Sequence, residues 1–187
     1  MNTPTIQKIK SLLVIGLLAA SVLPALAQQK RTSPHETVSA VVDGDRVTVT
    51  YGRPYTKDPR SGTPRKIWGG LVPYGQPWRM GADEATTLIT QQAIVFGDKT
   101  IPAGAYTLYM MPGETGASQL VFSTGLGGWG IPVDTKHDLT QVDLKKDALD
   151  QPVDQFTLSV GRNSGGGGLL KFSWENAQYS VAFTIKK

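Results

Sequence analysis

Beyond residue 27 the sequence predicts an all-β domain, an antiparallel β-sandwich or jelly-roll-like barrel of about eight or nine strands with long loops at one end. Three observations carry this. Apolar residues recur at every second position in several short runs, the period of a half-buried strand. The runs are separated by turn residues drawn from 21 glycines and 12 prolines in 187 residues. No run of ten or more residues in this part keeps a 3.6-residue apolar period.

The elements follow in order. Residues 1–27 read as a cleavable export signal: Lys8 and Lys10 start it, Leu12 to Leu23 is weakly polar to apolar, and Pro24 precedes Ala25-Leu26-Ala27. The apolar run is shorter than the ~20 residues a membrane helix needs. Cleavage after Ala27, a periplasmic or secreted location and no membrane span are therefore expected. Residues 28–34 are polar and predicted flexible, and 35–187 are predicted to be one β-sandwich domain.

Thr37 to Val42 and Arg46 to Tyr51 flank Asp43-Gly44, a pair suited to a hairpin whose two turn positions need positive φ. Gly52 to Trp68 holds three prolines and five basic residues, and is predicted to be a loop. Leu71 to Ala85 is irregular for the same reason. Strands are expected over Thr86 to Phe96, broken near Gln91-Gln92, then over Ala105 to Met110, Gln119 to Ser123 and Leu139 to Leu144. Gly97-Asp98-Lys99 reads as a turn, Gly125 to Pro132 as a glycine-rich loop, and Lys145 to Gln151 as a short helical turn. Strands return at Phe156 to Val160, Leu170 to Trp174 and Tyr179 to Ile185, with a tight turn expected at Asn176-Ala177.

Composition excludes some chemistry. The chain has no cysteine, so disulfides, cysteine nucleophiles and N-terminal lipidation on cysteine are ruled out. Its net charge is +4, and two of those charges lie in the expected signal. The remainder is too balanced to argue for nucleic acid.

Four segments carry a resemblance. They are Ser33-Pro34 through Thr37-Val38-Ser39; Val49-Thr50-Tyr51-Gly52-Arg53-Pro54; Leu71-Val72-Pro73-Tyr74-Gly75 with Trp78-Arg79-Met80-Gly81-Ala82-Asp83-Glu84-Ala85-Thr86; and Ile101-Pro102-Ala103-Gly104-Ala105-Tyr106-Thr107-Leu108. Together they resemble the bacterial domain-of-unknown-function 2911 family. The resemblance implies an exported all-β domain and no particular activity. Members often carry Asn at the position of Asp83, and a shorter loop after Arg53-Pro54, which makes Lys57 to Pro64 a local insertion.

Gly125 to Gly130 matches G-x-G-x-x-G, but Ile131-Pro132 follows where a dinucleotide site needs a helix. A loop with a packed Trp129 is expected. His35 and His137 lack metal-site spacing and read as exposed loop residues, so no metal and no cofactor are predicted. Asp83 and Glu84, as neighbours on extended backbone, are expected to face opposite ways. Arg53, Arg79 and the aromatic residues Tyr51, Trp68, Tyr74 and Trp78 form the most informative set. A guanidinium fork suits carboxylate or phosphate, and aromatic faces stack on sugars.

The expected function is a non-enzymatic exported binding or interaction module for an anionic or glycan ligand. Its predicted ligand-binding residues are Arg53, Trp78, Arg79 and Glu84: Arg79 as anchor, Trp78 as stacking face and Glu84 as orienter. Two alternatives come from other classes. One is an envelope glycan hydrolase using Glu84 or Asp83. The other is a structural subunit, which requires an exposed apolar patch.

Overall fold

β1 (His35–Val42) and β2 (Asp45–Gly52) form the predicted hairpin, with Thr37 opposite Thr50 and Val42 opposite Asp45. Asp43 and Gly44 have φ of 48° and 88°, the pair of left-handed residues a two-residue turn requires. Val47, Val49 and Tyr51 are buried, and Thr48 and Thr50 lie on the other face. There they form a polar ladder, Thr37 to Thr50 at 2.9 Å and Ser39 to Thr48 at 3.0 Å.

The structure is a computed structural model that describes residues 31–186. The expected export signal, and residues 28–30 of the expected flexible segment, lie outside the described residues. Seven further strands follow: β3 (Thr86–Thr90), β4 (Ile94–Phe96), β5 (Lys99–Ile101), β6 (Gly104–Met111), β7 (Ser118–Ser123), β8 (Asp138–Arg162) and β9 (Gly168–Ile185). They form one antiparallel sheet in the order β1-β2-β3-β6-β7-β8-β9-β4-β5. The sheet is not closed, so the barrel alternative does not apply; the fold is sandwich-like. No helix occurs among the described residues.

The sheet folds over because its longest strands change partners. β8 pairs β7 from Asp138 to Leu144, then pairs β9 from Lys145 onward. The end of β9 pairs β4. This brings the far half of β8 against β2, where the buried Tyr51 hydroxyl accepts from Leu158 N at 2.9 Å and donates to Glu36 at 2.8 Å. The break between β3 and β4 is held by buried Asp45. Its carboxylate accepts from Thr90 Oγ1 at 2.6 Å and from the amides of Gln91 and Gln92.

Three local expectations are corrected. Lys145 to Gln151 is strand, not a helical turn: it pairs β9, with Ala148 opposite Ala177. None of its side chains is buried, so no apolar alternation marked it. Asn176-Ala177 is not a turn. β9 runs through it, and the buried positions change phase from Leu170, Phe172 and Trp174 to Ala177 and Tyr179. Glu175, at φ 53°, pairs with Val153 between two register shifts whose extra residues lie on β8, and the phase of burial in β9 changes there. Lys99 opens β5 and does not belong to the turn.

Buried tyrosines give the fold an alkaline limit. Burial pushes the Tyr51 and Tyr179 hydroxyls up to about 12, and the bond to Glu36 adds to the rise at Tyr51. Burial and then Asp138 raise Tyr109 as well. A raised pKa in the folded state means the protonated phenol stabilises the fold at every pH below the unfolded value near 10. That contribution disappears as the pH climbs through the folded value. Unfolding free energy should therefore hold steady to about pH 10 and fall toward pH 12, by at most about 1.4 kcal/mol per pH unit for each tyrosine. Urea titrations from pH 8 to 12 check this, and Tyr51→Phe should flatten the decline.

Candidate functional site

The connection from β2 to β3, residues 53–85, holds 33 residues without a named strand, and three backbone devices fix it to the sheet. Tyr55 bridges Gln155 of β8. Trp78 and Met110 exchange N–H···O bonds at 2.8 Å in both directions. Gly52 lies so close to the loop that a Cβ there would sit 2.0 Å from the Ala82 carbonyl oxygen. The tip is a small hairpin, with Lys57 bridging Pro64. Its Asp58 carboxyl is held below the usual range by the Ser61 and Arg60 amides.

An aromatic cluster floors this loop. Trp78 stacks on Trp174 at 5.7 Å and 18°, and meets Trp68 and Phe156 edge-on at 5.9 and 5.2 Å. Trp68 donates Nε1 to the Trp174 carbonyl at 3.2 Å. Trp174 is 1% exposed, while Trp78 stays half-buried.

Arg79 joins the 71–85 segment to the loop between β7 and β8. Its Nε donates to Gly81 O at 3.3 Å; Nη1 donates to Asp83 O and, at 2.9 Å, to Trp129 O. The guanidinium also lies 5.8 Å from the Trp129 ring centre. Burial pulls its pKa down from the ordinary arginine value, and the charges of Asp83 and Glu84 oppose that pull. It stays protonated, because arginine starts above 12. Trp129 is 54% exposed, a correction to the expectation that it packs. The G-x-G-x-x-G run is a loop with no helix after it, as the sequence predicted.

Residues from 53–66, 71–85 and 125–134, with Thr32, Ser33 and Trp174, enclose a cleft of about 560 Å³. Its lining combines Trp78, Arg79, Arg65, Asp83, Trp174 and Ile131 with several proline rings. Behind the 125–134 loop lies a smaller cavity of about 100 Å³, and Arg79 borders both. Trp78 and Arg79 therefore meet in the cleft. Arg53 and Glu84 are not in its lining. Arg53 braces β1 and β8 instead: Nε donates to Phe156 O at 3.2 Å, Nη2 to Thr157 Oγ1 at 2.9 Å, and Nη1 pairs with Glu36 at 3.1 Å.

Glu84 and Asp83 do not diverge as extended neighbours would. Asp83 is left-handed at φ 64°, and each carboxylate lies 3.3 Å from His35 Nε2. His35 thus opens strand β1 and not a loop; it is exposed, as expected, and lies between the two carboxylates. His137, which is exposed, pairs with Asp134 at 2.9 Å. Among the described residues no group of three His, Cys, Asp or Glu could hold a metal.

Sequence reasoning missed Arg65 and Trp174 as site residues. Arg65 was submerged in a run of like charges, and Trp174 sits in a strand whose alternation marks it as core. Two buried side-chain atoms of lining residues have neither a hydrogen bond nor an ion pair among the described residues, Arg65 Nε and Trp174 Nε1; Asp83 Oδ2 has no hydrogen bond but lies 3.3 Å from His35 Nε2. Buried polar groups are normally paired, so a concentration of unpaired ones at one cleft calls for a cause.

Fold and cleft together define an all-β, sandwich-like domain with a loop-built, partly polar recess at one place on its surface. The chain belongs to the DUF2911 family: that family's model, described as a protein of unknown function, matches residues 33–183. No curated protein and no solved structure matches the chain. No helix among the described residues is long and apolar enough to cross a membrane.

Proposed function

We propose that this chain is an exported, non-enzymatic binding module that takes an anionic or glycan ligand of the cell envelope in the cleft between residues 53–66, 71–85 and 125–134. The observation that carries it is a recess lined by Trp78, Arg79 and Asp83 whose lining residues Arg65 and Trp174 each keep one buried N–H without a partner. A recess of this size lies within the range of small-ligand sites, which pair apolar walls with a few placed polar groups. Exportation rests on the Lys8-to-Ala27 pattern of the sequence.

The cleft favours binding over glycan hydrolysis. A glycosidase needs two carboxyl groups about 5 to 9.5 Å apart across the scissile bond. Asp83 is the one carboxylate in the described lining, and Glu84 lies outside it.

A thermal-shift screen of the purified protein against mono- and disaccharides, sugar acids and inorganic anions tests the proposal. A ligand present at a hundredfold over its Kd adds about 2.7 kcal/mol. For a domain of this length that raises Tm by roughly 5–10 °C. A screen in which no glycan and no anion moves Tm contradicts it.

A further inference from the structure

We propose that the apolar loop 125–134 and the basic hairpin 57–66 together dock this domain onto the surface of an anionic lipid bilayer; this goes beyond the cleft-ligand reading and stands without it. Residues 125–133 are glycine, leucine, tryptophan, isoleucine, proline and valine, with no polar side chain among them. Three of the large ones lie out in solvent: Leu126 is 52% exposed, Trp129 54% and Ile131 66%. Leu71, also exposed, lines the same cleft as Ile131. Single exposed apolar residues are ordinary, but a run of this kind marks an interaction surface. Tryptophan is the side chain that settles at a membrane–water boundary.

The backbone of the loop suits the same place. A carbonyl carried into the bilayer boundary without a partner is costly. Three carbonyls of this loop are already taken: Thr107 Oγ1 donates to Gly125 O at 2.6 Å, Ala85 N to Gly128 O at 3.2 Å and Arg79 Nη1 to Trp129 O at 2.9 Å. The same bonds tie the loop to β6 and to the 71–85 segment, so less ordering is left to do at docking. A protein partner is read through hydrogen bonds, roughly one per 100–200 Å² of interface. Residues 125–133 have no side chain to make them.

The charge beside the loop selects the lipid. Residues 57–66 hold Lys57, Arg60, Arg65 and Lys66 against one acid, Asp58, whose carboxylate accepts from the amides of Arg60 and Ser61 at 2.9 Å. Lys57 and Arg60 are exposed. Pro59 and Arg65 line the cleft that Ile131 and Pro132 also line, so the basic hairpin and the apolar loop border one recess. Residues 125–137 add no net charge, since Lys136 offsets Asp134. Shallow apolar insertion and attraction to anionic headgroups are each weak, and together they hold a peripheral protein on a membrane.

Co-sedimentation and tryptophan emission of the purified protein with two kinds of vesicle test this, one of phosphatidylcholine and one an equal mixture of phosphatidylcholine and phosphatidylglycerol. The mixed vesicles should bind about tenfold more tightly than the neutral ones or better, and added salt should narrow the gap. Trp129 is the exposed one of the four tryptophans, so emission should shift to shorter wavelength on binding. Leu126→Ser and Ile131→Ser, both at exposed positions, should each weaken binding about tenfold. Lys57→Gln and Arg60→Gln should each weaken it about fivefold on mixed vesicles and leave neutral ones unaffected. Leu126 is not in the cleft lining, so the Leu126→Ser arm stands whether or not Ile131→Ser folds. No binding to mixed vesicles, equal binding to both kinds, or binding that the loop variants leave unchanged overturns the proposal. Self-association in the absence of lipid that Leu126→Ser abolishes also overturns it, by assigning the loop to protein contact.

Discussion

Trp174→Ala should destabilise the domain by about 3–5 kcal/mol, the range for deleting a large buried aromatic side chain, and lower Tm by roughly 6–20 °C for a chain of this size. Trp174 is 1% exposed and is the largest of the fully buried side chains. It stacks on Trp78 and contacts Phe156 at 5.9 Å. Alanine leaves a cavity beneath Trp78, and Trp78 holds one end of the bridge to Met110. The loop should therefore loosen along with the core. Trp174→Phe separates the two roles of this residue. It keeps most of the ring and removes the unpaired indole N–H, so it should cost far less stability while still weakening the ligand. Denaturant unfolding followed by circular dichroism reads both variants. Equal losses for Ala and Phe would show that the packing argument is mistaken.

Gly52→Ala is expected to abolish ligand binding while costing about 1–3 kcal/mol, the usual penalty of forcing a methyl into a filled space. The new Cβ would lie 2.0 Å from the Ala82 carbonyl oxygen and 2.8 Å from its carbon. That obstacle is backbone, which cannot swing away as a side chain can. Segment 81–83 must lift off β2, carrying Asp83 and the carbonyls that hold Arg79. Gly44→Ala is the matched control. It also sits at a sheet end, with φ 88° and nothing within 4 Å of the added methyl. It should cost about 1–2 kcal/mol of backbone strain and leave ligand affinity unchanged. Titration of both variants with the best ligand of the wild type decides the matter. Retained affinity in Gly52→Ala would mean the 81–83 segment does not shape the site.

The β1–β2 hairpin, the break after Thr90 and the core of β8 and β9 were legible because each rests on local rules. Asp43-Gly44 fixes a turn, and alternation at Val47, Val49 and Tyr51 fixes a face. Residues 145–151 were not legible, since an exposed strand carries no apolar period. At Glu175 a single left-handed residue shifts the phase of burial, which in one dimension looks like the end of a strand. The site was half legible. Trp78 and Arg79 stand out by residue type and lie in the cleft. Arg53 stands out equally, yet is consumed by Glu36 and the backbone of β8, more than 100 positions away in the sequence. Asp83 and Glu84 share His35 because of one positive φ that no pattern announces.

The central claim is that the β2–β3 connection and the 125–134 loop, distant in sequence, form one ligand cleft latched through Arg79. Amide hydrogen exchange of the purified protein, with and without the tightest-binding ligand of the thermal-shift screen, tests this most directly. The account predicts that protection rises together at 53–66, 71–85 and 125–134 and stays unchanged at the β4–β5 hairpin. Protection confined to one of the three segments, or appearing on the β4–β5 side, would contradict it.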